Sequence, residues 1–166
     1  CTILSADGPG PYITHVTCGK IVDLGITDAN NMGAAMAPAA CDLIYQHFLD
    51  FSRKPDDYDY IITGDLGTVG AEILVDLLKE KGYDISAVYE DCGMKIFDGQ
   101  TQGTGAGGSG CGCSAVTLSG YYLKKLQQKE IRRILFVPTG ALLSTVSFNE
   151  GQTVPGIAHG VVIEAV

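Results

Sequence analysis

The sequence predicts an α/β fold: a single domain over residues 1–166, layered α-β-α around a mixed five-stranded sheet, in the order β-β-α-β-α-β-β. Three observations carry this. Apolar stripes at helical spacing alternate with short apolar runs of strand length. One strand, helix and extended segment follow each other directly, the order of a right-handed parallel crossover. Turn signals rich in Gly and Pro separate the elements, with no internal repeat and no linker.

Along the chain, residues 2–5 and 12–23 read as two short strands around Asp7-Gly8-Pro9-Gly10-Pro11. In the second, Ile13, His15 and Thr17 point to one face, and Thr14, Val16 and Cys18 to the other. Residues 25–37 read as irregular and lead into a helix with Pro38 at its first position, where a missing N–H costs nothing. Ala40, Cys41, Ile44, Phe48 and Phe51 form its stripe, which ends before Lys54-Pro55. Residues 58–63 make a strand. The next helix is capped by Thr68, carries Val69, Ile73, Leu74, Leu77 and Leu78, and ends at Gly82. Residues 85–90 form a connecting extended segment. A third helix follows the glycine-rich residues 103–114, with Ala115, Leu118, Tyr122 and Leu126 along one side. Residues 133–137 and 160–164 are strands of the buried type.

The 166 residues are 46% apolar and 18% charged, against roughly 25% charged in an average domain, which excludes intrinsic disorder. A chain of this size buries roughly 70% of its unfolded surface. No apolar run reaches the roughly 18 residues of a membrane span. With 11 basic against 19 acidic residues the net charge is −8, and no basic stripe marks a nucleic-acid partner. Six cysteines without a secretion signal read as reduced thiols. The start at Cys1 is expected for a processed or excised product, and its own amine also admits an N-terminal nucleophile.

Chemistry concentrates in residues 103–114, where six of twelve residues are glycine. Such a loop before a helix can present backbone amides to an anion. It lacks the lysine of a phosphate-binding loop and follows no clear strand. Three readings stand: a phosphate cradle, close packing against the sheet or another subunit, or a carboxylate site. The candidate ligand residues here are Gly107, Gly108, Ser109, Gly110, Cys111 and Cys113. Either cysteine is a reactive thiolate if the helix start lowers its pKa, or a small packing residue if not. The scattered Cys and His residues have no zinc spacing. His47 reads as a solvated surface residue, and His15 lies on a strand face. His159 and Asp65 each stand beside a strand end, where ligands bind in α/β sheets. Asp65 also reads as a plain turn residue, as do Asp56 and Asp57.

The runs Asp91-Cys92-Gly93, Ile96-Phe97-Asp98 and Gly107-Gly108-Ser109-Gly110-Cys111-Gly112-Cys113-Ser114-Ala115 are distinctive. Together with Thr14-His15-Val16-Thr17-Cys18-Gly19-Lys20 and Phe136-Val137-Pro138-Thr139-Gly140-Ala141-Leu142, they resemble the stage V sporulation protein AD family of the thiolase-like superfamily. The resemblance is to the C-terminal half of a two-half fold, with the N-terminal half absent. It implies binding of dipicolinic acid during sporulation and germination, with Ca²⁺ entering only within calcium dipicolinate and no residue assigned as a metal ligand. It further implies membrane-embedded partners of the same operon, a peripheral place on the cytoplasmic side of the spore inner membrane, and a homodimer by analogy. Thiolase-like enzymes draw partner groups from three loops, which by chain order match Gly64-Asp65, the segment 107–114, and residues 138–159. The first two lack the histidine and asparagine of the enzymes, so the resemblance implies a catalytically degenerate scaffold and a non-enzymatic function. Two further readings remain: an acyltransferase using Cys111 or Cys113 with His159, and a purely structural subunit.

Overall fold

Asn31 begins the first long helix, its side chain accepting the Ala34 amide at 3.2 Å. The computed structural model describes residues 2–107 and 110–165; Cys1, Gly108 and Ser109, each singled out above, lie outside the described residues. The helix that Asn31 caps, α1 (Met32–Phe51), starts six residues before Pro38 and holds that proline inside it. Tertiary packing is the reason. Residues 33–36 lie against other backbones: a Cβ on Gly33 would sit 2.6 Å from the Leu66 carbonyl oxygen, and one on Gly156 would sit 2.4 Å from that of Ala35. Burial of that turn outweighs the hydrogen bond the proline removes.

The sheet has five strands in the order β1-β7-β4-β2-β3. These are β1 (Tyr12–Thr17), β2 (Tyr60–Thr63), β3 (Tyr89–Asp91), β4 (Arg133–Val137) and β7 (Gly160–Glu164). Strand β2 runs parallel to both β3 and β4, while β7 is antiparallel to β4 and β1, so the sheet is mixed. Residues 2–5 are not a strand: they pair with no strand among the described residues, and Ile3 and Leu4 are exposed. The short β3 takes the fifth place instead. Strand β1 ends at Thr17, short of Asp23, because the chain crosses close to Ala158 at Gly19, where a Cβ would stand 1.9 Å from a carbonyl oxygen. A register irregularity between Ile13 and His15 also breaks the expected alternation of faces. A hairpin absent from the expected order joins β5 (Thr139–Ala141) to β6 (Gly156–Ala158).

Alternate residues of the strands feed two cores. Ile61, Leu135 and Val162 meet α1 and α2 (Gly67–Glu80), whereas Ile62, Ile134, Phe136 and Ile163 meet Tyr122 and Leu126 of the third helical segment. That segment runs through α5 (Cys113–Thr117), a π turn (Leu118–Tyr122) and α6 (Leu123–Gln127). The π turn shifts the helix face by one residue. Its buried line is therefore Cys113, Thr117, Tyr122 and Leu126, and Ala115 is exposed, unlike the even stripe expected from spacing. Short helices α3 (Cys92–Ile96) and α4 (Gly99–Gln102) follow β3, and α7 (Thr145–Asn149) lies inside the β5–β6 hairpin.

Candidate functional site at the carboxyl ends of the parallel strands

Where β2 and β4 end, three distant segments meet. A Cβ built on Gly64 would lie 3.1 Å from the Thr139 nitrogen, 3.2 Å from Pro138 Cα and 3.4 Å from Ser114 Cβ. Gly64 is therefore the residue that lets the turn after β2, the start of α5 and the turn after β4 touch. His159 joins through Pro138, whose carbonyl oxygen accepts its amide at 3.4 Å. Its Nδ1 accepts the Gly19 amide at 3.2 Å, so the neutral ring carries its proton on Nε2. The structure thus brings together Gly64, Ser114 and Thr139, the chain neighbours of Asp65, Cys113 and Pro138, with His159 joined through its amide.

Asp91 is the residue that sequence reasoning missed. It is buried at the end of β3 and accepts five hydrogen bonds. Four are backbone amides, those of Leu66 (2.9 Å), Gly67 (3.1 Å), Gly93 (3.0 Å) and Met94 (3.2 Å). The fifth donor is Thr63 Oγ1 at 2.7 Å, which leaves the Thr63 oxygen to accept from Tyr89. One carboxylate therefore serves the N-termini of both α2 and α3. Thr68, the expected cap of α2, does not do so; its amide donates to Ala106 instead. The only sequence signal was an Asp ahead of Cys92-Gly93 in a strand-to-helix junction.

Asp65 has contrasting surroundings. Burial, and next the neighbouring Asp91, push its carboxyl up to about 6. The Thr139 hydroxyl, beside the Gly64 turn, and the Thr104 hydroxyl, near Gly99, are buried without a hydrogen-bond partner among the described residues. The thiols do not follow the reactive reading. Cys113 is buried, and burial followed by Asp65 and Asp91 raises its pKa, the opposite of the effect expected at a helix start. Cys92 is pushed up to about 12 for the same first reason, and Cys111 is exposed.

Of the described glycines in residues 103–114, Gly107 alone packs closely, while a Cβ on Gly103, Gly105, Gly110 or Gly112 would meet nothing within 4 Å. A Cβ on Gly67 would stand 2.6 Å from the Ala106 oxygen, and one on Gly107 would stand 3.2 Å from the Gly93 carbonyl. Gly107 therefore serves a close backbone approach. Gly110 forms the turn into α5, its oxygen accepting the Cys113 amide. His47 also departs from expectation. It is fully buried, bonded to Thr17 Oγ1 at 2.7 Å and to Tyr58 Oη at 2.6 Å, and burial lowers its pKa to about 4. His15 packs edge-on against Phe51, with ring centroids 4.6 Å apart.

A groove of roughly 850 Å³ shares Pro138 and His159 with the convergence and is lined further by Phe136, Val161 and Ile163; Gly64, Asp65, Ser114 and Thr139 do not line it. Residues 2–13 form one wall and the Leu118–Leu123 side of the third helical segment the other. Among the described residues, no group of three His, Cys, Asp or Glu side chains is placed to hold a metal ion. No described helix is long and apolar enough to cross a membrane.

The family described as Stage V sporulation protein AD (SpoVAD) matches residues 1–164. The chain belongs to that family. It is 51% identical over 163 residues to the stage V sporulation protein AD of Bacillus subtilis (strain 168), a match covering 98% of this chain and 48% of that protein. The chain thus spans about half the length of its curated relative. It also resembles a ketosynthase (ApeO) solved in complex with its chain length factor (ApeC) from Xenorhabdus doucetiae, at TM-score 0.45 and 11% identity, over 96% of this chain and 80% of that one. The α/β assignment rests on the sheet of this chain itself.

Proposed function

We propose that this member of the sporulation family contributes one wall of a non-catalytic binding site for dipicolinic acid. The observation that carries the reading is the convergence at Gly64, Ser114 and Thr139, where the Thr139 hydroxyl is buried without a partner among the described residues. Cys113 is buried with a raised pKa, and no cysteine–histidine hydrogen bond occurs among the described residues. A dicarboxylate needs donors: the Thr139 hydroxyl and the Nε2 side of His159 are available in kind, whereas the Gly110 amide already donates to Asp65. Ca²⁺ enters only as part of the calcium chelate. The remaining donors come from the rest of a longer protein, whose chain closes the groove.

In this reading the protein works peripherally at the cytoplasmic side of the spore inner membrane, as a homodimer, alongside membrane-embedded proteins of its operon. The test is an equilibrium measurement of dipicolinate binding to the full-length protein, with and without Ca²⁺. Saturable binding is expected, and its absence at millimolar ligand would sink the proposal.

A further inference from the structure

The segment ahead of β1 is tied at its ends and loose between them. Residues 2–11 make no backbone hydrogen bond to the rest of the chain among the described residues. At one end Thr2 Oγ1 meets Ser119 Oγ of the π turn at 2.7 Å. At the other, Tyr12, the first residue of β1, donates its hydroxyl to the Gly8 carbonyl at 2.8 Å. Between these ties the segment lines the groove, yet Ile3 is 89% exposed and Leu4 76%. Phe136, Val161 and Ile163 line the same groove from the sheet, and apolar side chains left in water beside an apolar cleft gain by entering it. Gly8 and Gly10 hold φ of +138° and +158° and alternate with Pro9 and Pro11. Proline fixes its own φ, so rotation concentrates at the two glycines. Charge points the same way. Asp7 on this segment and Lys124 on the helical wall both line the groove, and neither takes part in an ion pair among the described residues.

We propose that residues 2–7 are a hinged strap that closes over the groove: Ile3 and Leu4 dock on its sheet side, Asp7 turns toward Lys124, and Gly8 and Gly10 take up the motion. Closure removes apolar area from water on both surfaces and opposes this with the entropy of ordering the segment. The ties at Thr2 and Gly8 reduce that cost, because the ends are already held across the groove. His159 lines the groove with an exposed ring and joins the convergence through Pro138. The closed strap covers that ring and the open one leaves it accessible. It thereby gates the ligand site, a consequence that rests on the dicarboxylate reading, whereas the closure itself does not.

The experiment is disulfide trapping in the full-length protein, with its other exposed cysteines, Cys18 and Cys111 among them, replaced by serine. Leu4→Cys with Val161→Cys should cross-link under copper–phenanthroline about tenfold faster than Leu4→Cys with Gln46→Cys, a control on α1 across the sheet. Ile3→Cys with Ile13→Cys repeats the test at two exposed sites, and each pair is first checked for an unchanged unfolding curve. Rates equal to the control in both pairs overturn the inference, which is the outcome if another part of the longer protein fills the groove. Gly8→Pro with Gly10→Pro makes residues 8–11 a stiff run of prolines and should slow trapping about fivefold; an unchanged rate overturns the hinge. Dipicolinate affinity of the trapped protein, before and after reduction, tests the gate. Trapping should weaken binding about tenfold, with recovery on reduction, and unchanged affinity overturns the gate. Absence of dipicolinate binding in every form defeats the dicarboxylate reading, while the trapping rates still decide the strap.

Discussion

Beneath α1, His47 sits in the interior with both ring nitrogens bonded, one to Thr17 on β1 and one to Tyr58 ahead of β2. At the carboxyl ends of β2 and β4, by contrast, Asp65 lies half-buried beside another carboxylate, and Thr139 keeps a hydroxyl without a partner among the described residues. A buried polar group with all its bonds made ties elements together; one left short is costly and is kept where something else completes it. Asp91 marks the border between the two regions, because it is fully bonded yet touches the turn that carries Asp65.

The largest effect expected from breaking this contrast is at Asp91. Asp91→Ala leaves four backbone amides of two helix starts without their acceptor and should cost about 4 kcal/mol in urea unfolding of the full-length protein. Asp91→Asn should recover less than half, since its NH₂ faces donors. A loss within about 0.5 kcal/mol, as at an ordinary surface site, would erase the distinction between the two aspartates.

His47 comes next. Its folded pKa, lowered to about 4, lies below the 6.5 of an exposed imidazole. The native ring stays neutral while the unfolded one gains a proton, so this stability is complete above pH 6.5 and is lost as pH falls from 6.5 to 4. The gap is worth about 3 kcal/mol. His47→Gln should flatten the stability–pH curve over that interval, and an unaltered slope would show that His47 does not cause it.

A smaller effect is expected at the helix crossing. A Cβ on Gly70 would stand 2.9 Å from Gly33 Cα, so Gly70→Ala should lower stability by about 2 kcal/mol through displacement of α2 from α1. The mildest probe is chemical. Iodoacetamide at pH 8 should label exposed Cys18 and Cys111 before buried Cys41, Cys92 and Cys113. Equal labelling of Cys113 in mass spectra would revive the thiolate reading of the second region.

Strands β2, β4 and β7 and most of α2 were legible because each is a dense apolar run with nearby breakers, a signal held within a few residues. The stripe of the third helix was half legible: Tyr122 and Leu126 are buried as expected, but the π turn moved the line from Ala115 to Cys113. The position of α1's start, with Pro38 inside, follows from Gly33, Ala35 and Gly156 meeting other backbones, and no local pattern reports that. Within the site, Asp65 and His159 could be found from their places beside strand ends. Asp91 could not, since its role is defined by amides 24 and 25 residues away in sequence.

From composition and spacing alone come the α/β class, the apolar core and the acidic charge, because these depend on residue type and on periods of two and 3.6. Which polar groups are satisfied is another matter. His47 was solvated by its helical face and is buried by β1 and the turn before β2; Cys113 stood where a helix start lowers a thiol's pKa and is raised by desolvation and two aspartates. Both outcomes turn on neighbours brought in by folding, and electrostatics follows distance in space rather than distance along the chain.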